Sequence, residues 1–298
     1  INNNDCNEAV YDFAVTGTGI TPGAALTLDG SDDYVNLGTS AFEFVGSYTI
    51  ETWVNATFGS SGNFSQAGRI MDKGVAGGEG PDLDLFGGIR YISANGGSGQ
   101  YFITAPTQVP ANTWSHIAVT IDVANLVAKI YYNGALVKTQ ALPGDVAANP
   151  TYNLLLGATD GGGSPTNFFN GKLDEFRVWN RALCQNEIQA QMNCELSGSE
   201  SGLMIYYNFN QGIAGDNNSG LNTVNDAATG SGHGGTNNGT LTNFTLSGSN
   251  SNWTAPGGVT SGVSCSPFVA PEADVRGGSP LVTIVDGDIT PSTTDSTD

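Results

Sequence analysis

The sequence predicts an all-β fold, a two-sheet antiparallel jelly-roll sandwich with one short helix and an extended C-terminal tail. Three features point there. About a dozen short runs rich in Val, Ile, Leu and aromatic residues show the period of two expected of half-buried strands. Glycine is abundant, 42 in 298 residues, and it clusters with Asn, Ser and Thr between those runs, where turns are needed. Only Ala182–Met192 has helical character.

Residues 1–23 are polar and turn-rich around one apolar run, Val10–Val15. Ala24–Leu28 opens the first strand, which breaks at Asp29-Gly30-Ser31-Asp32-Asp33 and resumes at Tyr34–Leu37. Ser47–Thr57 alternates cleanly. Further strands are expected at Arg69–Asp72, Asp82–Phe86, Ile89–Ser93, Gln100–Thr104, Trp114–Asp122, Val127–Asn133, Ala135–Gln140, Tyr152–Gly157 and Asn167–Trp179. Asn133-Gly134 between two such runs predicts a type I′ hairpin, because both residues tolerate positive φ. Asn186 is expected to cap the helix, with Glu187 near its positive end. Leu203–Phe209 reads as a strand, 211–239 as a loop, and Thr240–Leu246 and Asn252–Thr254 as edge strands.

Nine Lys and Arg stand against 28 Asp and Glu, a formal charge of −19. That excludes nucleic acid and anionic membrane surfaces, which need basic patches. It suits neutral glycans, cations and basic partners. No apolar run is long enough for a spanning helix. The chain opens on Ile1 without a basic-then-apolar leader, so it reads as processed or excised from something longer.

Cysteines stand at 6, 184, 194 and 265, without a C-x-x-C, and the histidines are His116 and His233. That set favours disulfides in an oxidising compartment over zinc. Three pairings are possible. A continuous helix would hold Cys184 and Cys194 roughly 15 Å apart, so their bridge requires a short helix with folded-back flanks. The reading favours Cys184–Cys194, which leaves Cys6–Cys265 as a staple across the ends of the domain.

The stretch Asn170-Gly-Lys-Leu-Asp-Glu-Phe-Arg-Val-Trp-Asn-Arg-Ala-Leu183 places Asp174, Glu175, Arg177 and Arg181 within one short span, although only 12% of the chain is charged. It resembles the closing signature of laminin-G-like jelly rolls, the concanavalin-type sandwiches. Earlier markers are similar to that family in the same order: Ala25-Leu-Thr-Leu-Asp-Gly-Ser-Asp-Asp-Tyr-Val35, Tyr48-Thr-Ile-Glu-Thr-Trp-Val54, Trp114-Ser-His-Ile-Ala-Val-Thr120 and Ile130-Tyr-Tyr-Asn-Gly134. One block departs. Text that precedes the first marker in many relatives comes late here, at Tyr207–Gly212 and Asp226–Leu241, as in a circular permutation filling the slot with residues of about 203–254. The resemblance implies a domain over 1–265. Residues 266–271 read as a linker, and 272–298 resemble the start of an immunoglobulin-like repeat of secreted Bacteroidetes proteins, truncated here or left as an extended tail.

Asp29, Asp32 and Asp33 set three carboxylates on one Gly-Ser turn, a pattern suited to Ca²⁺, which takes six to eight oxygens. The resemblance adds Asp174 from the last core strand and supports a structural Ca²⁺, with Asp226 the alternative ligand and Asp286 and Asp288 weaker ones. Tyr131, Tyr132, Tyr206, Tyr207, Phe168, Phe169 and Trp253 lie near loops or strand ends as candidate sugar-stacking groups, although neighbours on a strand face opposite ways. Trp53, Trp114 and Trp179 read as core. The E-x-D-x-x-E strand of sandwich hydrolases is absent, and Ser115-His116 has no G-x-S-x-G, so catalysis is not expected. Six N-x-(S/T) sequons, at Asn55, Asn63, Asn217, Asn238, Asn243 and Asn252, arise readily in so Asn-rich a chain. Asp295-Ser296-Thr297 is similar to a short O-glycosylation acceptor. The resulting expectation is a non-catalytic extracellular or cell-surface adhesion module that recognises a glycan or other surface ligand, stabilised by Ca²⁺ and exported by the type IX route. The other reading is a structural spacer or assembly subunit that contacts neighbouring domains or copies of itself.

Overall fold

Alternation in Tyr48–Ala56 sends Tyr48, Ile50, Val54 and Ala56 into the core and Glu51, Trp53 and Asn55 to the opposite face. The same logic builds every long strand. The computed structural model describes residues 24–266, apart from 64–67, 75–79, 96–99, 145, 148–151, 231–236 and 261. The chain divides after Ser266, and the unit from Pro267 onward lies outside the described residues, as does the expected tail.

In chain order the elements are β1 (Ala25–Asp29), β2 (Tyr34–Asn36), β3 (Tyr48–Ala56), β4 (Arg69–Asp72), β5 (Asp82–Asp84), β6 (Ile89–Asn95), β7 (Gln100–Ala105), β8 (Ser115–Asp122), β9 (Val127–Tyr132), β10 (Ala135–Ala141), β11 (Val146–Ala147), β12 (Leu155–Leu156) and β13 (Asn170–Trp179). Then come α1 (Gln185–Gln191), β14 (Leu203–Tyr207), β15 (Thr223–Val224), β16 (Gly239–Thr242) and β17 (Trp253–Thr254). They form two antiparallel sheets. The first has the order β10-β9-β8-β3-β13-β1-β17, with β14 also on β13. The second has the order β11-β6-β5-β4-β12-β2-β16-β15, with β7 also on β6. This is the two-layer sandwich that the alternation predicts. The late segment supplies strands to both sheets: β14 pairs with β13, β16 with β2, and β17 with β1.

Strand β13 is the spine of the first sheet. One flank pairs with β3, and the other carries β1 at Asn170–Leu173 and β14 at Phe176–Trp179. A bulge at Glu175, whose φ is +50°, inserts one extra residue between those halves. Leu173 and Phe176 therefore both enter the core although they are three apart. Asn133 and Gly134, at φ 47° and 74°, close the β9–β10 hairpin as expected.

Helix α1 covers part of the outer face of the first sheet. Ile188 packs there with Ala118, Tyr131, Trp179, Leu183, Leu196, Leu203 and Tyr206 in a second apolar cluster. The helix cap differs from expectation. Cys184 occupies the N-cap, and the Glu187 carboxylate accepts its backbone N–H at 2.8 Å, so Asn186 is not the cap. Arg181 donates to Glu187 at 2.6 Å and steadies the same turn. β15 falls inside the expected 211–239 loop, and β11 was not expected either. Two-residue strands offer no periodicity to read.

Beneath α1 lies a buried polar network. Arg177, 1% exposed, donates to Glu175 Oε2 at 2.5 Å, Gln191 O at 2.9 Å and Cys194 O at 2.7 Å, and lies 3.4 Å from Glu51 Oε1. Trp179 Nε1 donates to Glu51 at 3.1 Å, and the Tyr206 hydroxyl donates to Glu175. Burial, reinforced by the Arg177 charge, depresses His116 to about 3, so the imidazole beside Glu51 is neutral.

The disulfide joins Cys194 to Cys265, with Cα atoms 5.0 Å apart, and not Cys184 to Cys194. Helix α1 keeps Cys184, an exposed free thiol, at its far end. The returning C-terminal segment meets Glu195 instead: Glu195 N donates to Val263 O (2.7 Å) and Cys265 N to Glu195 O (2.9 Å). Cys265 is thus already taken, which also rules out Cys6–Cys265; Cys6 lies outside the described residues. Non-reducing peptide mapping is expected to recover Cys194 linked to Cys265, and replacing both by Ser to cost about 2–4 kcal/mol in urea unfolding. Arg177→Met leaves Glu51 and Glu175 buried without their counter-charge, and its urea midpoint is expected to fall by the equivalent of about 3–5 kcal/mol.

Candidate ligand cleft and acidic turn

Where α1 ends, the outer face of the first sheet opens into a polar cleft of about 480 Å³. Its floor is one cross-strand row. Thr27 of β1 stands opposite Lys172 of β13, and Lys172 opposite Asn55 of β3. All three point outward because Leu26, Leu28, Leu173, Val54 and Ala56 point in. Asp29 and Ser31 form one wall, Thr57, Asn112 and Asn170 another, and Ser249 and Asn250 reach over from the loop before β17. The walls are pre-set by their own bonds. Thr57 Oγ1 donates to Asn170 Oδ1 at 2.6 Å, and Asn170 Nδ2 donates to Asp29 O at 2.8 Å. The described lining contains amides, hydroxyls, one ammonium and one carboxylate, and no aromatic ring.

The acidic turn adjoins this cleft. Carboxylate oxygens of Asp29, Asp32 and Asp33 lie within 4.8 Å of one another. Gly30, at φ +78°, makes the turn possible, since a Cβ there would stand 2.6 Å from Asn170 Cβ. Asp33 is buried. It accepts from Asp29 N at 2.9 Å and from Ser251 Oγ at 2.8 Å, while Asp29 accepts from Ser31 N at 2.7 Å. Burial, aided by the Asp29 and Asp32 charges, pushes Asp33 up to about 6 against those hydrogen bonds. No ion pair among the described residues neutralises the three. Oxygen donors crowded without a counter-ion fit a hard cation. Asp29 and Asp32 offer the freer oxygens, because both Asp33 oxygens already hold the turn.

Asp174 does not join them. Register places it four residues beyond Asn170, the partner of Asp29, or roughly 13 Å along β13. Its carboxylate instead accepts N–H bonds from Gly258 (2.7 Å), Val259 (3.2 Å) and Glu175 (2.8 Å), pinning the C-terminal segment. Asp226 likewise serves the backbone, accepting from Tyr206 N, Ala228 N and Asn237 N. Asp286 and Asp288 lie outside the described residues.

The aromatic face expected for sugar stacking is not formed. Tyr131, Tyr206, Tyr207, Phe169 and Trp253 are all buried, Tyr132 is packed against the core, and Phe168 alone of the seven is half-buried away from the core clusters. Opposite-facing neighbours find no open side, because α1 covers the outer face just where Tyr131 and Tyr206 emerge. On the outer face of the second sheet, Asp72, Asp82 and Asp84 do converge, but on Arg69, at 3.5 Å, 3.2 Å and closer, with Arg90 also on Asp84 at 2.5 Å. Burial, with Asp72 beside it, raises Asp82 well above the usual carboxylate range. Two guanidinium groups thus stand among these acids. The cleft residues Thr27, Lys172, Asn112 and Asn170 have no signal in sequence except register. Asn55 and Thr57 stood out only as a sequon, yet both line the cleft.

A profile of the concanavalin A-like lectin/glucanases superfamily matches residues 29–189, more than half of the chain. No curated protein matches it in sequence. Among solved structures, a Bacteroides ovatus ATCC 8483 protein named for carbohydrate binding superposes with a TM-score of 0.57 at 20% identity, covering 80% of this chain. The chain spans 62% of the length of that protein. The CBM40 of Ruminococcus gnavus IT-sialidase, solved with α2,3-sialyllactose, gives 0.45 at 20% identity over 57% of this chain and 93% of its own. Domain 4 of the Geobacillus stearothermophilus arabinanase AbnA, solved with arabinotriose, gives 0.41 at 20% over 55% and 74%. Fold, topology and profile agree: the chain belongs to the concanavalin A-like lectin/glucanases superfamily.

Proposed function

We propose that the chain is a non-catalytic, extracellular glycan-binding module whose sugar lies in the polar cleft of the first sheet. The observation that carries this reading is the lining itself. Amides and hydroxyls from three adjacent strands and four loops converge on one concavity, and they match the alternating donors and acceptors of a sugar ring. The volume is of the order of known ligand sites, about 300–1,000 Å³. Membership in a family that includes lectins supports the reading, as does the Bacteroides protein named for carbohydrate binding. The disulfide fits an oxidising, extracellular setting. Ca²⁺ is proposed at Asp29 and Asp32, with Asp33 behind them. When bound, it supplies positive charge that relieves the crowded carboxylates and stiffens the wall of the cleft.

A glycan array, followed by calorimetry on any hit, tests the site. Asn55→Ala is expected to weaken binding roughly tenfold, the loss of one or two hydrogen bonds of about 1 kcal/mol each. Unchanged affinity would move the site elsewhere, and an empty array would favour a spacer.

The cation is tested by unfolding. Asp33 is raised from 3.8 in the unfolded chain to about 6 in the fold, so its contribution to stability is present below pH 4 and lost as pH rises through about 6. Without calcium, the carboxyl ¹³C signal of Asp33 is expected to titrate near pH 6. Millimolar Ca²⁺ is expected to lower that midpoint and raise Tm at pH 7, and Asp29→Asn with Asp32→Asn to abolish both effects. A titration indifferent to Ca²⁺ would remove the metal from this turn.

A further inference from the structure

The floor of the cleft has a property that a neutral sugar does not call for. Lys172 is half-buried at its centre, and neither an ion pair nor a hydrogen bond reaches its ammonium among the described residues. In a chain of net charge −19, that is unusual company for a cation. The described arginines are all engaged: Arg69 and Arg90 with Asp84, Arg177 with Glu175, and Arg181 with Glu187. Lys73 is also satisfied, donating to the carbonyls of Thr39 and Tyr152. Lys129 and Lys138, on β9 and β10, share with Lys172 the lack of an ion pair or hydrogen bond among the described residues, but neither lines this cleft.

The neighbours of Lys172 in the row share its condition. Thr27 is 9% exposed, and its Oγ1 is buried without a partner. The Asn55 amide has no partner among the described residues. A buried hydroxyl and a half-buried ammonium both lose free energy unless something replaces the water they shed. Adjacent strands lie about 4.8 Å apart, so the three groups span roughly 10 Å in a straight line, on rigid strands rather than loops. Asp29, diagonal to Lys172 across the β1–β13 pair, is beyond ion-pair distance. The cleft is therefore polarised, with an acidic wall and a basic floor.

We infer that the ligand is a carboxylated sugar, a uronic-acid-type residue, whose carboxylate rests on the Lys172 ammonium while Thr27 Oγ1 and the Asn55 amide bond the flanking hydroxyls. This rests on the glycan reading above and adds the charge of the ligand. A carboxylate supplies what the floor lacks, an acceptor for the ammonium. The bond is charge-assisted and stronger than one between neutral groups.

The test compares glucuronate and galacturonate with glucose and galactose by amide chemical-shift titration of the whole chain, with and without Ca²⁺. The uronates are expected to shift the residues around Thr27, Asn55 and Lys172 with at least tenfold higher affinity than their neutral parents. Added salt should erode only the uronate affinity. Lys172→Met is expected to erase that preference, bringing the uronates down to the affinity of their neutral parents, whereas Lys172→Arg retains it. Lys172 points out of the sheet, so Met is accommodated without disturbing the core, and an unchanged spectrum of the free variant checks the fold. Equal affinity for the neutral parents, or a preference that survives in Lys172→Met, overturns the inference and leaves the glycan-binding reading intact. If none of the four sugars shifts the cleft residues, the glycan reading falls, and this inference with it.

Discussion

One buried guanidinium holds the first sheet to everything laid over it. Arg177 joins its own strand to β3 through Glu51, and to the chain beyond α1 through the carbonyls of Gln191 and Cys194. The Gln191 carbonyl ends the helix and the Cys194 carbonyl follows it, where carbonyls lack intrahelical donors. The disulfide to Cys265 starts at the second of them and carries the returning segment across the sheet, where Asp174 takes the N–H groups of Gly258 and Val259. Without Arg177, Glu51 and Glu175 would keep only the neutral donors Trp179 and Tyr206 and would lose their buried counter-charge. A buried ion pair adds little net stability over a well-packed apolar core, but it is intolerant of misalignment. Its value here is registry: few arrangements of β3, β13 and α1 satisfy all its partners.

The bulge two residues before Arg177 explains why the cleft exists. Lys172 and Arg177 are five residues apart, so on a regular strand they would face opposite ways. The bulge at Glu175 makes both face outward. Before the bulge, the outer face of β13 carries Asn170 and Lys172 and stays open. After it, the outer face carries Arg177 and Trp179 and is roofed by α1. Trp53 stands at the border, its Nε1 donating to Met192 O at 2.6 Å. A single inserted residue thus separates a structural half of the sheet from an exposed half, and aims the cation of the cleft.

This division shows what the sequence could reveal. Long strands were legible because period-2 alternation survives wherever one face is core, as in Tyr48–Ala56 and Ser115–Asp122. The Asn133-Gly134 turn was legible from backbone sterics alone. The acidic turn was legible as a cluster because its three carboxylates are local in the chain. Asp174 was misplaced because its partner depends on register, which the bulge resets. The Cys194–Cys265 pairing depends on a 71-residue excursion that returns over the helix, and no local pattern encodes such a return. The aromatic residues failed for a related reason. Alternation indicates that one of each adjacent pair leaves the core, but not that α1 will then cover the side it leaves by. The cleft itself is a row across β1, β13 and β3, residues that no window along the chain brings together.

The acidic turn and the basic floor are parts of one construction. Asn170 bonds the Asp29 carbonyl and Thr57 at once, so the turn, the start of β13 and the end of β3 move together. Asp33, buried against Ser251, ties the loop before β17 to the same turn, and that loop carries Ser249 and Asn250 over the cleft. Burial raises Asp33, and the neighbouring Asp29 and Asp32 charges add to it. Charge neutralised at the turn would draw its walls together around whatever the floor holds. In such an arrangement a cation need not touch the ligand to affect its binding. It would act by fixing the geometry in which Asn55, Thr27 and Lys172 meet a ligand, and rigid strands would convert that fixation into affinity because little entropy remains to be lost on binding.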